Sequence, residues 1–355
     1  MCHLETLRFP RNFRKADEKE GLMSKQTSVL RSKKVLVTGG LGFIGSHIAE
    51  ELVGRGVPVI ALDNLSTGRV DNVKHLMGKD NFNFVYGDIR DEKILFESLE
   101  EVNVIFHEAA LVNVDESIEM PQIYNDVNVD GTLNLLEAAR RSDVEKVIFA
   151  SSSSVYGENL SPLAEDASLD AKSPYALTKL TAERYCLLYH ELYGLGTVVL
   201  RYFNVYGPRQ DPTNPYAAVI TKFMWRVSKG LHPEIHGDGE QNRDFVNVKD
   251  VVHANLLAAT NKGVVGQTIN IGSGVATDIN NLAFTVIRLF GNKELSPVYM
   301  GERKGDIRYN CANINLAKKI LKYHPKVSLF EGLKALMACM DASAPDHVYA
   351  KSKVG

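Results

Sequence analysis

Three side chains at fixed spacing could carry out proton transfer at an alcohol. Tyr175 and Lys179 are four residues apart in SPYALTK, so they share one face of a predicted helix. Ser152 lies 23 residues before Tyr175, in the serine-rich segment SSSSVYG. A tyrosine, whose reference pKa is about 10, becomes a base near neutrality only if that pKa falls, and a neighbouring ammonium group favours the fall. We identify Ser152, Tyr175 and Lys179 as candidate catalytic residues, although Tyr-x-x-x-Lys also occurs in ordinary amphipathic helices.

A glycine-rich turn near the start of the chain could bind a dinucleotide. In KKVLVTGGLGFIGSHIAEEL a strand, a turn and an amphipathic helix follow one another, and Gly39, Gly42 and Gly45 have a G-x-x-G-x-x-G spacing. Such glycines let the backbone approach a pyrophosphate at a helix N-terminus. Asp63 ends the next strand, where its carboxylate can accept both ribose hydroxyls and would repel a 2′-phosphate. The expected cofactor is therefore NAD, favoured over NADP.

Other residues expected to contact the cofactor lie at the ends of later strands. Asp88 follows the third strand, where its carboxylate either meets the adenine amino group or caps the helix that begins near Asp91. The segment HEAA at 107–110 ends the fourth strand with two small residues, which would allow close backbone approach. The complete predicted cofactor-binding set is Gly39, Gly42, Phe43, Ile44, Gly45, Asp63, Asn64, Ser66, Thr67, Gly68, Asp88, Ile89, Ala109, Ala110, Asn128, Tyr175, Lys179 and Tyr202.

The elements that position these residues alternate between strand and helix. Predicted strands are KKVLV, VPVIAL, FNFVYG, VNVIFH, EKVIFAS and TVVLR, and predicted helices span about 43–55, 91–100, 121–140 and 175–193. This order predicts an α/β fold with a doubly wound, Rossmann-like parallel sheet and a smaller α/β C-terminal substrate lobe. The predicted parts are a disordered tail (1–32), an NAD-binding domain (33–203, with about 240–272 returning to it) and a substrate-binding lobe (204–239 and 273–340).

Composition excludes several other classes of protein. The 355 residues are 45% hydrophobic and 24% charged, which is ordinary for a globular chain. The formal net charge of −2 gives no basic field, so neither nucleic acid nor a membrane surface is an expected partner. The four cysteines lack C-x-x-C spacing, so we expect no disulfide framework, no metal site and a reducing, cytoplasmic location. No apolar run is long enough for a membrane span or a secretory leader.

Taken together, several motifs resemble one known superfamily. TGGLGFIG, Asp63, Asn128 in NVDGT, the serine-rich VYG segment, YALTK and RYFNVYGPRQ look like the extended short-chain dehydrogenase/reductases. Within them the chain is most similar, over about 33–340, to the UDP-glucose 4-epimerases and UDP-N-acetylglucosamine 4-epimerases. The resemblance implies bound NAD, a UDP-sugar in the C-terminal lobe and a homodimer. It also implies a substrate-binding set of Ser152, Ser153, Asn204, Ala218, Val219, Arg243, Arg303, Asp306 and Asn310.

Two positions bear on the reaction and its substrate. Ser153 and Ser154 stand where the similar sugar 4,6-dehydratases carry an Asp-Glu pair, so we expect reversible 4-epimerisation rather than elimination. Asn310 stands where the family places a tyrosine in enzymes confined to UDP-glucose and UDP-galactose, so N-acetylated sugars are expected to fit as well. The alternative is that Asn310 turns away and another side chain fills the space. Two alternatives stay open: a uronic acid 4-epimerase, or a non-catalytic NAD-sensing regulator, although such regulators typically lose the Tyr/Lys pair.

The predicted helix over 175–193 carries an apolar series that is broader than one sheet face requires. Its members are Leu177, Leu180, Tyr185, Leu188 and Leu192. We expect this helix and the helix near 121–140 to form the homodimer contact; the alternative is a helix that only covers the sheet.

Overall fold

Seven parallel strands form the central sheet of the molecule. They are β1 (Lys34–Thr38), β2 (Val59–Asp63), β3 (Phe82–Tyr86), β4 (Val102–His107), β5 (Lys146–Ser152), β6 (Gly196–Tyr202) and β10 (Thr268–Ile271). Their spatial order is β10-β6-β5-β4-β1-β2-β3, and every neighbouring pair is parallel. The computed structural model describes residues 29–159, 162–210, 218–302 and 307–342. Of the predicted tail, only residues 29–32 fall within these ranges.

Helices cover both faces of this sheet because its strands are apolar on both sides. The helices are α1 (Phe43–Gly54), α2 (Glu92–Ser98), α3 (Val114–Glu119), α4 (Pro121–Asn125), α5 (Gly131–Arg141), α6 (Pro174–Tyr193) and α8 (Val248–Thr260). Alternate residues of β1 show the two layers: Val35 and Val37 pack in one hydrophobic core with α1 and α8, whereas Leu36 packs in the other with α2, α5 and α6. The predicted doubly wound, Rossmann-like fold is therefore confirmed.

The strand order places a crevice at the carboxyl ends of the central strands. β1 lies between β2 and β4, so the connection that leaves β1 and the later connections run to opposite sides. At such a switch point the loops after neighbouring strands separate, and ligands bind outside the carboxyl ends of the strands. Gly39, Asp63 and Glu108 follow or end the strands that border this point.

The remaining strands and helices build a smaller unit on the carboxyl side of the sheet. They are β7 (Asn204–Tyr206), α7 (Val219–Ser228), β8 (Glu234–His236), β9 (Asn242–Asn247), β11 (Ala276–Asp278), α9 (Ile279–Leu289), β12 (Val298–Met300) and α10 (Leu329–Ala342). β9 pairs with β7 and β11, and β8 pairs with β12. The chain was predicted to return to the large sheet near residue 240. It returns later, at α8, because β9 pairs within the smaller unit. No helix in the described ranges combines the length and apolar character needed to cross a bilayer.

Candidate active site

The turn between β1 and α1 has the geometry of a phosphate cradle. Gly42 N donates to Gly39 O at 3.0 Å, and Gly39 has a φ of +63°. A Cβ at Gly45 would lie 2.2 Å from Gly39 O, so no larger residue fits while the turn keeps this shape. No side chain caps the N-terminus of α1, which leaves its first backbone N–H groups free to face an anion. These features fit the pyrophosphate of a dinucleotide.

Asp63 ends β2 with a carboxylate that the backbone holds in place. Oδ2 accepts from Leu41 N at 2.9 Å and Oδ1 accepts from Leu65 N at 2.8 Å. Burial raises the pKa of Asp63, and these backbone hydrogen bonds oppose the rise. A carboxylate has about four lone-pair positions, so Asp63 can still accept from a ribose hydroxyl. Gly68 leaves the necessary space, because a Cβ there would lie 2.5 Å from Oδ1.

Asp88 sits at the far end of the same crevice and is paired with Arg90. Arg90 Nε and Nη2 donate to its two oxygens at 2.9 and 2.8 Å, and Asn64 Nδ2 donates to Oδ2 at 2.8 Å. These donors lower the pKa of Asp88 to about 2. Asp91, not Asp88, caps α2, since its side chain accepts from Ile94 N. The helix-capping alternative for Asp88 is therefore wrong.

Asn128 interrupts the predicted helix over 121–140 with a π-helical turn, Asp126–Asp130. Its side chain accepts from Leu111 N at 2.8 Å and donates to Leu111 O at 2.9 Å and to Thr178 Oγ1 at 3.0 Å. It thereby fixes the loop after β4 to α6, the helix that carries Tyr175 and Lys179. In the structure Asn128 holds the wall of the crevice in place and does not line it, which differs from its expected direct contact with the cofactor.

Tyr175 and Ser152 meet where β5 and α6 converge. Ser173 caps α6 by accepting from Ala176 N, and Tyr175 N donates to Ser117 Oγ at 3.1 Å, so the first turn of the helix is anchored on two sides. Ser152 and Tyr175 line the same cleft. Burial raises the pKa of Tyr175, and the Ser152 side chain opposes the rise. In the protein alone the pKa of Tyr175 thus lies above its usual value, opposite to the expected fall, because burial is the larger effect.

Lys179 lies one turn after Tyr175 and is buried. Its Nζ donates to Ala150 O at 2.9 Å and lies 5.1 Å from the ring centre of Phe149. Burial lowers the pKa of Lys179 to about 8, and the charge of Glu108 opposes that fall. The ammonium group is therefore held between the end of β5 and a carboxylate at the end of β4.

The predicted sugar contacts form a connected group in the smaller unit. Asn310 Nδ2 donates to Ser153 Oγ at 3.4 Å, and Asn204 Nδ2 donates to Asn310 Oδ1 at 3.1 Å. Arg243 Nη1 donates to Ile307 O at 2.6 Å. Arg303 and Asp306 lie outside the described residues, so their predicted contacts stay predictions. Ala218 and Val219 form the start of α7.

One cleft of about 640 Å³ joins the glycine turn, Asp63 and Asp88 to Ser152, Tyr175 and Lys179. Most predicted residues line it: Gly39, Gly42, Phe43, Ile44, Gly45, Asp63, Asn64, Ser66, Thr67, Asp88, Ile89, Ala109, Ala110, Ser152, Tyr175, Lys179, Tyr202 and Ala218. Predicted residues in the described ranges that do not line it are Gly68, Asn128, Ser153, Asn204, Val219, Arg243 and Asn310.

Several lining residues were not anticipated. Glu108, Arg69 and Arg209 are charged residues on the cleft surface. Glu108 belongs to HEAA, of which only the two alanines were predicted to contact the cofactor. Arg209 belongs to the motif RYFNVYGPRQ. Both residues could therefore have been identified as candidates from the sequence. Within the described ranges, no group of three or more His, Cys, Asp or Glu side chains is arranged to hold a metal ion.

Comparisons with known proteins agree with this geometry. The model of the NAD dependent epimerase/dehydratase family matches residues 35–272. A UDP-glucose 4-epimerase from Mycolicibacterium smegmatis is 39% identical over 303 residues, covering 84% of this chain and 96% of its own. A UDP-glucuronate 4-epimerase from Thermodesulfobacterium geofontis is 37% identical over 309 residues, covering 84% and 93%. A solved UDP-N-acetylglucosamine 4-epimerase from Methanobrevibacter ruminantium M1, in complex with UDP-N-acetylmuramic acid, matches with a TM-score of 0.84 and 39% identity over 88% of this chain and 99% of that one.

Proposed function

Because this chain belongs to the NAD-dependent epimerase/dehydratase family, we propose that it reversibly interconverts UDP-hexoses that differ in configuration at C4. The observation that carries the proposal is that Ser152, Tyr175 and Lys179 line the same cleft as the glycine turn. Family membership supplies NAD as the cofactor, and the Gly39–Gly45 turn and Asp63 have the shape and charge to hold its pyrophosphate and ribose.

Each member of the catalytic set has a distinct role in this proposal. Tyr175 takes the proton of the sugar 4-hydroxyl, and Ser152 donates a hydrogen bond to the same oxygen. When bound, NAD would accept hydride from C4 and give it back to the opposite face of a 4-keto sugar that has turned over in the site, and its positive charge would favour the phenolate form of Tyr175. Tyr175 takes the 4-hydroxyl proton as C4 is oxidised and returns it as C4 is reduced, so the reaction causes no net oxidation.

The proposed role of Lys179 is to hold the cofactor rather than to lower the pKa of Tyr175. Its ammonium group donates to Ala150 O near the end of β5 and would also donate to a ribose hydroxyl of the bound cofactor. The chemistry stops at C4 because Ser153 and Ser154, rather than acids, follow Ser152, so no carboxyl group from this segment can protonate a leaving hydroxyl.

The proposed substrates include both plain and N-acetylated UDP-hexoses. The Asn310 side chain lies between Ser153 and Asn204, beside the end of β5 that carries Ser152. Its amide nitrogen has two hydrogens, and the hydrogen bond to Ser153 uses one of them, so the other can serve an acetamido carbonyl. A tyrosine at this buried position would occupy the space that the substituent needs.

The direct test incubates the purified protein with UDP-galactose, UDP-N-acetylgalactosamine and UDP-glucuronic acid, followed by separation of the sugars. The proposal expects the 4-epimer of each of the first two. Conversion of the uronic acid alone would move the assignment to the second candidate, a uronic acid 4-epimerase, which the similarity to a UDP-glucuronate 4-epimerase makes the main competitor. No conversion of any UDP-sugar with bound NAD present would favour the non-catalytic regulator.

We also propose that the protein is a homodimer built on α6 and α4, which fall in the predicted helices over 175–193 and 121–140, together with the adjacent α3. Leu177, Leu188 and Leu192 are exposed on α6, and Ile118 and Ile123 are exposed on the adjacent helices. Leu180 and Tyr185 instead pack against the two cores, so they belong to the sheet contact. An apolar surface of this kind on two adjacent helices suits a second copy of the chain. Light scattering at micromolar concentration should give twice the chain mass of 39.3 kDa.

The proposed location is a reducing compartment, the cytoplasm. Cys186 is a buried thiol that forms no disulfide within the described residues. Chains that fold in oxidising compartments usually pair such cysteines or lack them.

A further inference from the structure

Glu108 is a carboxylate that lines the cleft beside the proposed catalytic residues, and the mechanism above does not use it. It follows β4 directly, and its Oε1 lies 2.8 Å from the hydroxyl of Tyr202 at the end of β6. The one proton of that hydroxyl has a second acceptor in reach, Asn255 Oδ1 at 3.0 Å. The shorter distance and the negative charge favour donation to Glu108. Tyr202 thus holds the carboxylate in a fixed position.

The groups around this carboxylate have defined charges. Asn255, on α8, also donates from Nδ2 to the Tyr202 oxygen at 2.7 Å, which orients the phenol. The pKa of Tyr202 lies well above its usual value because of burial and the Glu108 charge, so the phenol stays neutral. Burial raises the pKa of Glu108 to about 7, while Tyr202 and Lys179 oppose the rise. Further positive charge near Glu108 therefore favours its ionised form.

We propose that Glu108 sets the balance between the oxidised and reduced forms of the bound cofactor. Its negative charge stabilises the oxidised nicotinamide ring, which is positively charged, relative to the reduced ring, which is neutral. When hydride leaves the sugar, the ring gains two electrons and loses its charge, so the carboxylate makes this state less favourable and promotes the return of hydride. An epimerase depends on that return, because a cofactor left reduced cannot begin the next turnover.

The test measures the midpoint potential of the cofactor bound to the full-length protein. Glu108→Gln keeps the side-chain length and an oxygen acceptor for Tyr202 but removes the charge, whereas Glu108→Asp keeps the charge but shortens the side chain. Each holoprotein is equilibrated anaerobically with a reference redox dye at about pH 8, where a carboxyl with a pKa near 7 is ionised. The reduced fraction is read from the near-ultraviolet absorbance of the reduced ring.

At one dye potential, we expect the ratio of reduced to oxidised cofactor to be at least about tenfold higher in Glu108→Gln than in the wild type, or about 30 mV for a two-electron couple. Glu108→Asp should shift the ratio less than Glu108→Gln, because it keeps the charge. A purely structural role would reverse that order, since aspartate disturbs the packing more. The reverse order, or an unchanged ratio in Glu108→Gln, would overturn the proposal.

A second variant and a matched control make the result independent of one substitution. Tyr202→Phe leaves the carboxylate but removes its hydrogen bond, so it should raise the ratio in the same direction by a smaller factor. Glu116→Gln is the control, because Glu116 also accepts from a tyrosine hydroxyl, that of Tyr124 at 2.7 Å, but does not line the cleft. It should leave the ratio unchanged; an equal shift in this control would overturn the proposal. No sugar takes part in the titration, so its outcome is separate from that of the proposed substrate.

Discussion

The two ends of the proposed active site, one for the cofactor and one for the sugar, are built in different ways. At the cofactor end, Gly39, Gly45 and Asp63 lie in the turn after β1, in α1 and at the end of β2, within one short stretch of chain. At the proposed sugar end, which adjoins the cleft at Ser152, Asn310 bonds to Asn204 and Ser153, which are 106 and 157 residues away in sequence. The first end is formed by local backbone geometry and the second by side chains that meet only after folding. Changes at the cofactor end should therefore affect every substrate equally, whereas changes at the sugar end should distinguish one substrate from another.

The largest effect is expected where the two ends meet, at Tyr175. Tyr175→Phe removes the proposed base while keeping the ring, so kcat should fall by at least about 100-fold, as is typical when a general base is lost. The fall should be the same for plain and acetylated sugars. Steady-state rates, with bound NAD and the melting temperature measured on the same samples, check this.

Tyr193→Phe is the matched control, because Tyr193 ends the same helix with an exposed ring. It should keep the wild-type rate. Activity of Tyr175→Phe within a few-fold of wild type would remove Tyr175 from the mechanism.

A loss of cofactor binding is expected from Gly45→Ala. The new Cβ would lie 2.2 Å from Gly39 O, which is backbone, so the turn must open and the phosphate cradle is disturbed. We expect NAD affinity to fall by at least about tenfold, with an equal effect on all sugars. Gly54→Ala, in the same helix with nothing within 4 Å of the new Cβ, should bind NAD normally. Calorimetric titration of the cofactor-free proteins with NAD measures both.

A selective effect is expected from Asn310→Tyr at the sugar end. The larger side chain should lower kcat/KM for UDP-N-acetylgalactosamine at least about tenfold more than for UDP-galactose, because only the acetylated sugar needs the space. Each substrate serves as the control for the other in the same preparation. An equal loss for both sugars would mean that Asn310 supports the fold rather than the specificity.

The smallest effect is expected at Asp63, which should set the preference for NAD over NADP. The nucleotide released from purified protein should be NAD, since the carboxylate repels a 2′-phosphate. Asp63→Asn should weaken the preference for NAD over NADP by about tenfold or less, because the amide keeps one oxygen acceptor. Mass spectrometry of the released nucleotide decides the first point. NADP as the main species would show that the end of β2 was misinterpreted.

The same contrast explains what the sequence alone could reveal. The β1 turn, the acidic end of β2 and the Tyr175–Lys179 pair are recognisable because each depends on spacing within one or two elements. Ser153, Asn204 and Asn310 were placed near the sugar only through family resemblance, since no local pattern brings residues so far apart into contact.

Other features of the structure escaped sequence reasoning for physical reasons. The π-helical turn at Asp126–Asp130 contains Asn128, whose side chain bonds to the loop after β4, a contact that no local sequence pattern indicates. The pairing of β9 with β7 and β11 depends on where the smaller unit docks. Glu108 was visible in HEAA, but its contact with Tyr202 joins strands that are 94 residues apart at that point.

The most direct test of the account follows the hydrogen at C4. UDP-galactose that carries deuterium at C4 is incubated with the holoprotein in ordinary water, and the sugar products are analysed by nuclear magnetic resonance. If Tyr175 moves only the hydroxyl proton while the cofactor holds the hydride, the product is UDP-glucose with the deuterium still at C4. Loss of that deuterium to solvent, or the absence of the 4-epimer, would contradict the account.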